Sequence, residues 1–184
     1  EAHYELGKLL HHPDDFDRVK LLFEISVDLL PDDTRPMFAL AQHLYAGEKS
    51  LADGTINIQR EPESAKKLLR KILSVTPLSS QAKILLAEIE LISEEEIVAT
   101  RLLEEALEDK NAKGEASYEL GRIWEKKGDS VKAAAYYESA MESEDWKALA
   151  QFRLALVMFQ KDQDQAALKH FENSIVSLKQ KEIH

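Results

Sequence analysis

The stretch Glu115-Ala116-Ser117-Tyr118-Glu119-Leu120-Gly121-Arg122 decides the fold, because the chain opens on a near copy, Glu1-Ala2-His3-Tyr4-Glu5-Leu6-Gly7-Lys8. The two lie 114 residues apart, which is three periods of 34 with 12 left over. A period of this size is the mark of a repeat architecture. The period holds elsewhere. Ala133, Tyr137 and Ala140 return 34 later as Ala167, Phe171 and Ser174; 34 earlier stand Ala99, Leu103 and Ala106, and 34 before those Ala65, Leu69 and Ile72. A second signature, Leu followed by a small residue, occurs at Leu40-Ala41, Leu86-Ala87, Leu120-Gly121 and Leu154-Ala155.

Spacing of i, i+4, i+7, as at 133, 137 and 140, sets three side chains on one helical face. Small residues there, opposite Gly or Ala on a partner helix, let two axes approach closely with ridges in grooves. An aromatic or Leu then fills the space between neighbouring pairs. Helix starts are signalled at Thr34 before Pro36, at Ser80 after Pro77, and at Ser130 after Gly128-Asp129. The 12 surplus residues fall between Leu40-Ala41 and Ala65, which predicts an insertion over roughly Gly47 to Glu61. Repeats then read 1–33, 34–79, 80–113, 114–147 and 148–181 within one domain, 1–184. One helix pair cannot bury its own apolar face, so stacking must do it.

At these residues the chain resembles the tetratricopeptide repeat family. That family sets Leu-Gly or Leu-Ala on its first helix (helix A), then small, aromatic or Leu, and small on its second (helix B), and a closing Pro. Pro31 and Pro77 fit the last position, while Asn111 and Asp145 replace it later. Tyr45-Ala46-Gly47 with the insertion, and Tyr118-Glu119-Leu120-Gly121 with Lys132-Ala133, also resemble the related Sel-like repeats. The resemblance implies an all-α, right-handed α-solenoid of five helix-turn-helix repeats. It further implies that partners lie along a concave wall of A helices. By register that wall carries Tyr4, Lys8 and His11, then Arg35, Phe38, Gln42 and Tyr45, then Gln81, Ile84, Glu88 and Leu91. Tyr118, Arg122 and Glu125 follow, and Leu149, Phe152, Leu156 and Phe159 complete it.

Within this frame the expected function is binding of a protein, as a peptide or an amphipathic helix docked on the aromatics. An adaptor, scaffold or protein quality-control role is the implied setting. The same aromatics have a second reading, as packing against neighbouring helices. Family members that clamp the carboxylate end of heat-shock chaperones use a Lys at a position held here by Tyr4, Phe38, Ile84, Tyr118 and Phe152. That partner is not expected. A different class of function is self-association through the last repeat, where Leu149, Phe152, Leu156 and Phe159 form an apolar stripe that a polar cap or another subunit would cover.

Composition agrees with a folded helical protein: 44% of residues are hydrophobic, with only 6 Gly and 5 Pro as breakers. The net charge of −10 argues against nucleic acid as partner. Residues 80–113 alone hold nine acids against four bases. The absence of Cys removes disulfides and thiolate metal sites. No apolar run is long enough to span a bilayer, so no membrane insertion by this stretch is expected. The chain starts at Glu1 without Met, so a longer parent with its own targeting or anchoring segments is expected, the default compartment being the cytoplasm.

Other candidates read as structural. His11 and His12 are adjacent and point apart on a helix, which disfavours a shared metal. Glu94-Glu95-Glu96 reads as solvated charge at a helix start. Trp124 and Trp146 sit at packing positions. In the insertion, Leu51 to Ile58 shows a turn signal followed by alternating apolar residues, which allows a short extended element on a scaffold loop. There is no phosphate loop, nucleophile elbow or zinc-protease motif, so neither an enzyme nor a cofactor is expected.

Overall fold

The structure, a computed structural model, describes residues 1–10, 15–52 and 55–181. Ten helices follow one another among these residues: α1 (Ala2–Leu9), α2 (Phe16–Leu29), α3 (Thr34–Ala46), α4 (Pro62–Val75), α5 (Ser80–Ile92), α6 (Glu96–Ala106), α7 (Lys113–Lys126), α8 (Ser130–Ala140), α9 (Lys147–Phe159) and α10 (Asp164–Lys181). The architecture is that of a helix-turn-helix repeat solenoid. The chain divides into two compact units, Glu1–Ser93 and Glu94–His184.

One element departs from all-helical structure. Between α3 and α4 the chain forms a hairpin of β1 (Glu48–Ala52) and β2 (Thr55–Gln59), antiparallel in a register that pairs Glu48 with Gln59 and Ala52 with Thr55. Asp53 and Gly54, which carry the turn signal, lie outside the described residues. The hairpin returns to the helices at Glu61, whose amide donates to the Leu44 carbonyl (3.0 Å) and whose carboxylate pairs with Lys20 at 2.5 Å.

Helix starts fall one residue before the expected caps. Asp33, Ser79 and Asp129 accept amides from Arg35 (3.0 Å), Ala82 (3.4 Å) and Lys132 (3.1 Å). A cap side chain must reach the second or third amide from outside the helix, and Thr34, Ser80 and Ser130 are already inside it. The turn between paired helices repeats as well. Glu94, Gly128 and Asp162, each 34 apart, all have positive φ (62°, 78° and 57°). At Gly128 the turn is a Schellman closure: its amide donates to the Glu125 carbonyl, and that of Asp129 to Trp124, both at 3.0 Å.

The helix B signature is the core of each unit. Ala65, Leu69 and Ile72 are buried in the first unit, as are Ala99, Leu103, Ala106, Ala133, Tyr137 and Ala140 in the second. Each unit also uses a helix A glycine to admit a ring. A Cβ on Gly7 would stand 2.6 Å from the Phe23 ring, and one on Gly121 would stand 2.6 Å from Tyr137. The missing Cβ is what lets the paired helices close on an aromatic.

Candidate functional site

The first unit holds a groove of about 530 Å³ walled by α1 and α3 and floored by α2. Tyr4 and Lys8 come from α1; Arg35, Phe38 and Gln42 come from α3 at successive turns. Gly7, Val19 and Phe23 form the floor, and Ser79 and Gln81 bring the start of α5 to the rim. The floor is hydrophobic because Tyr4 tilts on Phe23 at 6.1 Å and Gly7 lets the Phe23 ring rise between the helices.

The rim carries two cations, each held in place by carboxylates. Asp33 grips the Arg35 guanidinium at 2.6 and 3.0 Å, and Glu1 reaches it at 3.3 Å. The Arg35 bonds hold the Asp33 carboxyl below the usual carboxylate range. Lys8 pairs with Glu5 at 2.9 Å and stands 4.6 Å over the Tyr4 ring. These are exposed pairs, so their value is orientation more than stability. Among the described lining residues there is no carboxylate, although the chain as a whole carries −10. His43 also lines the groove. It stacks on Phe16 at 4.1 Å and its Nε2 lies 2.9 Å from the Phe16 carbonyl. Burial pushes its pKa down, against the partial opposition of that carbonyl.

Six of the expected wall residues therefore meet in one place: Tyr4, Lys8, Arg35, Phe38, Gln42 and Gln81. Tyr45 is half-buried outside the groove lining, with Arg60 over its ring at 5.3 Å. Ile84 is a correction. It is buried because α5 is covered on most of its surface, with nine of its thirteen residues buried. Tyr118 is a second correction. It lies in the core of the second unit, 5.0 Å from Trp146 and 5.8 Å from Tyr137. Neither offers a face to a partner. His11 lies outside the described residues.

The second unit presents the rest as a surface. Arg122 is exposed and pairs with buried Glu119 at 2.8 Å. On α9, Phe152 and Phe159 are exposed and Leu156 is half-buried. Phe152 meets Phe171 of α10 edge-on at 5.5 Å. Beneath them runs a polar chain: the Tyr137 hydroxyl donates to Glu125 at 2.5 Å, and Glu125 lies 3.7 Å from Arg153. Burial, with Glu125 beside it, pushes the Tyr137 phenol well above its ordinary range.

Sequence reasoning missed Phe23 and His43. Both had a signal. Phe23 is to Gly7 what Tyr137 is to Gly121, 16 residues on, and His43 occupies a register position held elsewhere by Ile89, Ile123 and Val157.

Repeated helix pairs define a helical repeat protein, of the kind that serves as a protein-interaction module. Residues 98–148 match the tetratricopeptide repeat family and are tetratricopeptide repeat in character. The fold of the whole chain is that of solved tetratricopeptide proteins. MamA from Desulfovibrio magneticus RS-1 superposes with a TM-score of 0.71 at 15% identity, over 97% of this chain and 94% of that one. PilF of Pseudomonas aeruginosa gives 0.79 at 15% identity, over 96% and 75%. YrrB, described as a tetratricopeptide protein with an unusual peptide-binding site, gives 0.63 at 15% identity, over 95% and 84%. No curated protein matches the chain by sequence.

Proposed function

We propose that this chain is an adaptor or scaffold that takes a peptide or amphipathic helix of a partner protein in the α1–α3 groove. The carrying observation is the convergence of Tyr4, Phe38 and Gln42 with Lys8 and Arg35 around one apolar floor. Aromatic anchors give contact area at low entropic cost. The groove thus suits a segment carrying apolar residues. Its class is a protein-binding module. Among the described residues no cluster of His, Asp and Glu forms a metal site, and no helix is long and apolar enough to cross a membrane. The hairpin between α3 and α4 supports the reading of the second repeat as Sel-like.

Selection of peptides from a random display library against the chain tests the groove. Selected peptides are expected to be enriched in apolar and aromatic residues and to lose about tenfold in affinity on Phe38→Ala, the size of a modest hot spot. Phe159→Ala on α9 is expected to leave them unaffected. Peptides indifferent to Phe38→Ala and Tyr4→Ala overturn the reading.

The second reading is self-association, favoured by the exposure of Leu149, Phe152 and Phe159 in the C-terminal repeat.

A further inference from the structure

The floor of the groove holds an imidazole. His43 stands on α3 between Ala39 and Ala46, which line the groove on the same stripe of the helix. Methyl groups on either side leave the half-buried ring open to whatever enters. The repeat does not ask for a histidine here: Leu9, Ile89, Ile123 and Val157 hold the equivalent positions, and the last three are buried. Packing alone is thus served by an aliphatic side chain. The imidazole adds a proton site to a floor that Gly7, Val19 and Phe23 otherwise make apolar.

The ring is held in one orientation. It stacks on Phe16 at 4.1 Å and meets Phe23 edge-on at 6.2 Å. Its Nε2 lies 2.9 Å from the Phe16 carbonyl, which can only accept. The neutral ring therefore carries its hydrogen on Nε2, and a second proton goes to Nδ1. Charged groups surround it on several elements. From α2, Asp17 and Lys20 face the ring, and Lys20 is tied to Glu61 at 2.5 Å. To the groove lining α1 brings Lys8, tied to Glu5, and α3 brings Arg35, tied to Asp33. The contributions of α4 (Ile72) and of the start of α5 (Ser79 and Gln81) are uncharged. Burial is the main cause that lowers the pKa of the ring; the Phe16 carbonyl opposes it, Lys20 adds to it and Asp17 opposes it.

We propose that His43 makes the groove a proton-sensitive receptor, which holds an apolar segment while the ring is neutral and releases it as the ring becomes charged. A segment laid on Tyr4, Phe38 and the floor takes water away from the imidazole as well. Removing water costs a cation far more than a neutral ring, and an apolar segment returns no hydrogen bond to Nδ1–H. Binding therefore resists protonation, and by linkage protonation resists binding to the same extent. The sign follows from the lowered pKa. Affinity is complete above the ordinary histidine value of about 6.5 and declines as the pH falls through the lower value of the free groove. The inference rests on the groove reading and adds its regulation.

Peptides selected from the display library at neutral pH, remade without His, Asp or Glu and with both ends blocked, provide the test on the whole 184-residue chain. Affinity for the unaltered chain is expected to fall about threefold or more from about pH 7.5 to about pH 5, the loss that a one-unit drop in the ring's midpoint produces there. His43→Gln keeps a donor for the Phe16 carbonyl but does not titrate in this range, and His43→Leu installs the aliphatic type of the other repeats. In both, the ratio of the two affinities is expected to lie close to one. An NMR titration of the His43 ring in the unaltered chain reads the same coupling without a substitution, so the test survives a variant that fails to fold. Its midpoint is expected to move down when peptide is bound. Peptides that need Phe38 yet show the same pH ratio on parent and variants, or leave the His43 midpoint unmoved or raised, overturn the proton dependence and leave the groove standing. Peptides indifferent to Phe38→Ala and Tyr4→Ala overturn the groove itself, and its regulation falls with it.

Discussion

The α4–α5 junction of the first unit and the α8–α9 junction of the second place different chemistry at the same two register positions. In the first, Lys66 and Glu90 form an ion pair at 2.8 Å with both side chains almost wholly buried. Burial pulls the Lys66 ammonium down, but bonds to Glu90 and Glu63 outweigh it and hold it raised. Ser93 accepts from Lys66 at 2.8 Å, and Arg70 reaches the other Glu90 oxygen at 2.9 Å. In the second, 68 residues on, stand Ala134 and Met158, packed against the cluster of Tyr137, Leu154 and Val157. The repeat asks for complementary volume at these sites, and either chemistry supplies it. What differs is the consequence of losing one member. An apolar contact fails by degrees, whereas half of a buried ion pair leaves a charge without compensation.

The largest expected effect breaks the apolar junction at its centre. Tyr137→Ala opens a cavity beside Gly121 and removes the donor to Glu125, and should cost about 3–5 kcal/mol. Trp124 and Trp146 both belong to the second unit, so their fluorescence in a urea titration follows that unit. A cost under about 1 kcal/mol would show that the ring is not the keystone of this junction. The ionic junction should yield the next effect. Glu90→Met alone strands Lys66 and is expected to cost about 3 kcal/mol, the lower end for a broken buried pair because Glu63 and Ser93 still reach the ammonium. Lys66→Ala with Glu90→Met installs the second unit's chemistry in the first and should recover most of that loss. If the double variant is as unstable as the single one, the two junctions are not interchangeable and the comparison fails.

Much of this was legible before any coordinates. The 34-residue offset marks positions where helices must approach closely, so Ala133, Tyr137 and Ala140 and their equivalents declare themselves by size alone. Six groove residues follow from the same register. What the register could not resolve was which wall positions stay open. Tyr4 and Tyr118 are equivalent, yet Trp146 packs on the second, whereas the position equivalent to Trp146 beside the first holds Asp32. Burial at a repeat position depends on the bulk of a neighbour at another register position, which the position's own residue does not report. The Lys66–Glu90 pair was hidden for a related reason: a lysine and a glutamate on two amphipathic helices read as surface until both are seen under their neighbours.

Acidification should separate the two units by the smallest effect of the three. His43 in the first unit has its pKa lowered from the ordinary 6.5 by burial against Phe16. Unfolding returns it to the ordinary value, so below about pH 6.5 the unfolded chain takes up a proton that the folded chain resists. Stability from this residue is thus complete above that pH and declines as the pH falls toward the folded value. Glu115 in the second unit runs the other way. Burial, with Glu119 adding to it, raises its pKa, so the folded state takes up its proton first and gains stability as pH falls toward the ordinary carboxylate range. Between about pH 6.5 and 5, the His43→Phe variant should therefore lose less stability to acid than the parent chain, as read by urea midpoints. The tryptophan-detected transition of the second unit should be unchanged by that substitution. A parent and variant with identical acid slopes would mean that His43 opens to solvent without cost, and the floor of the groove would then be softer than its packing on Phe16 and Phe23 requires.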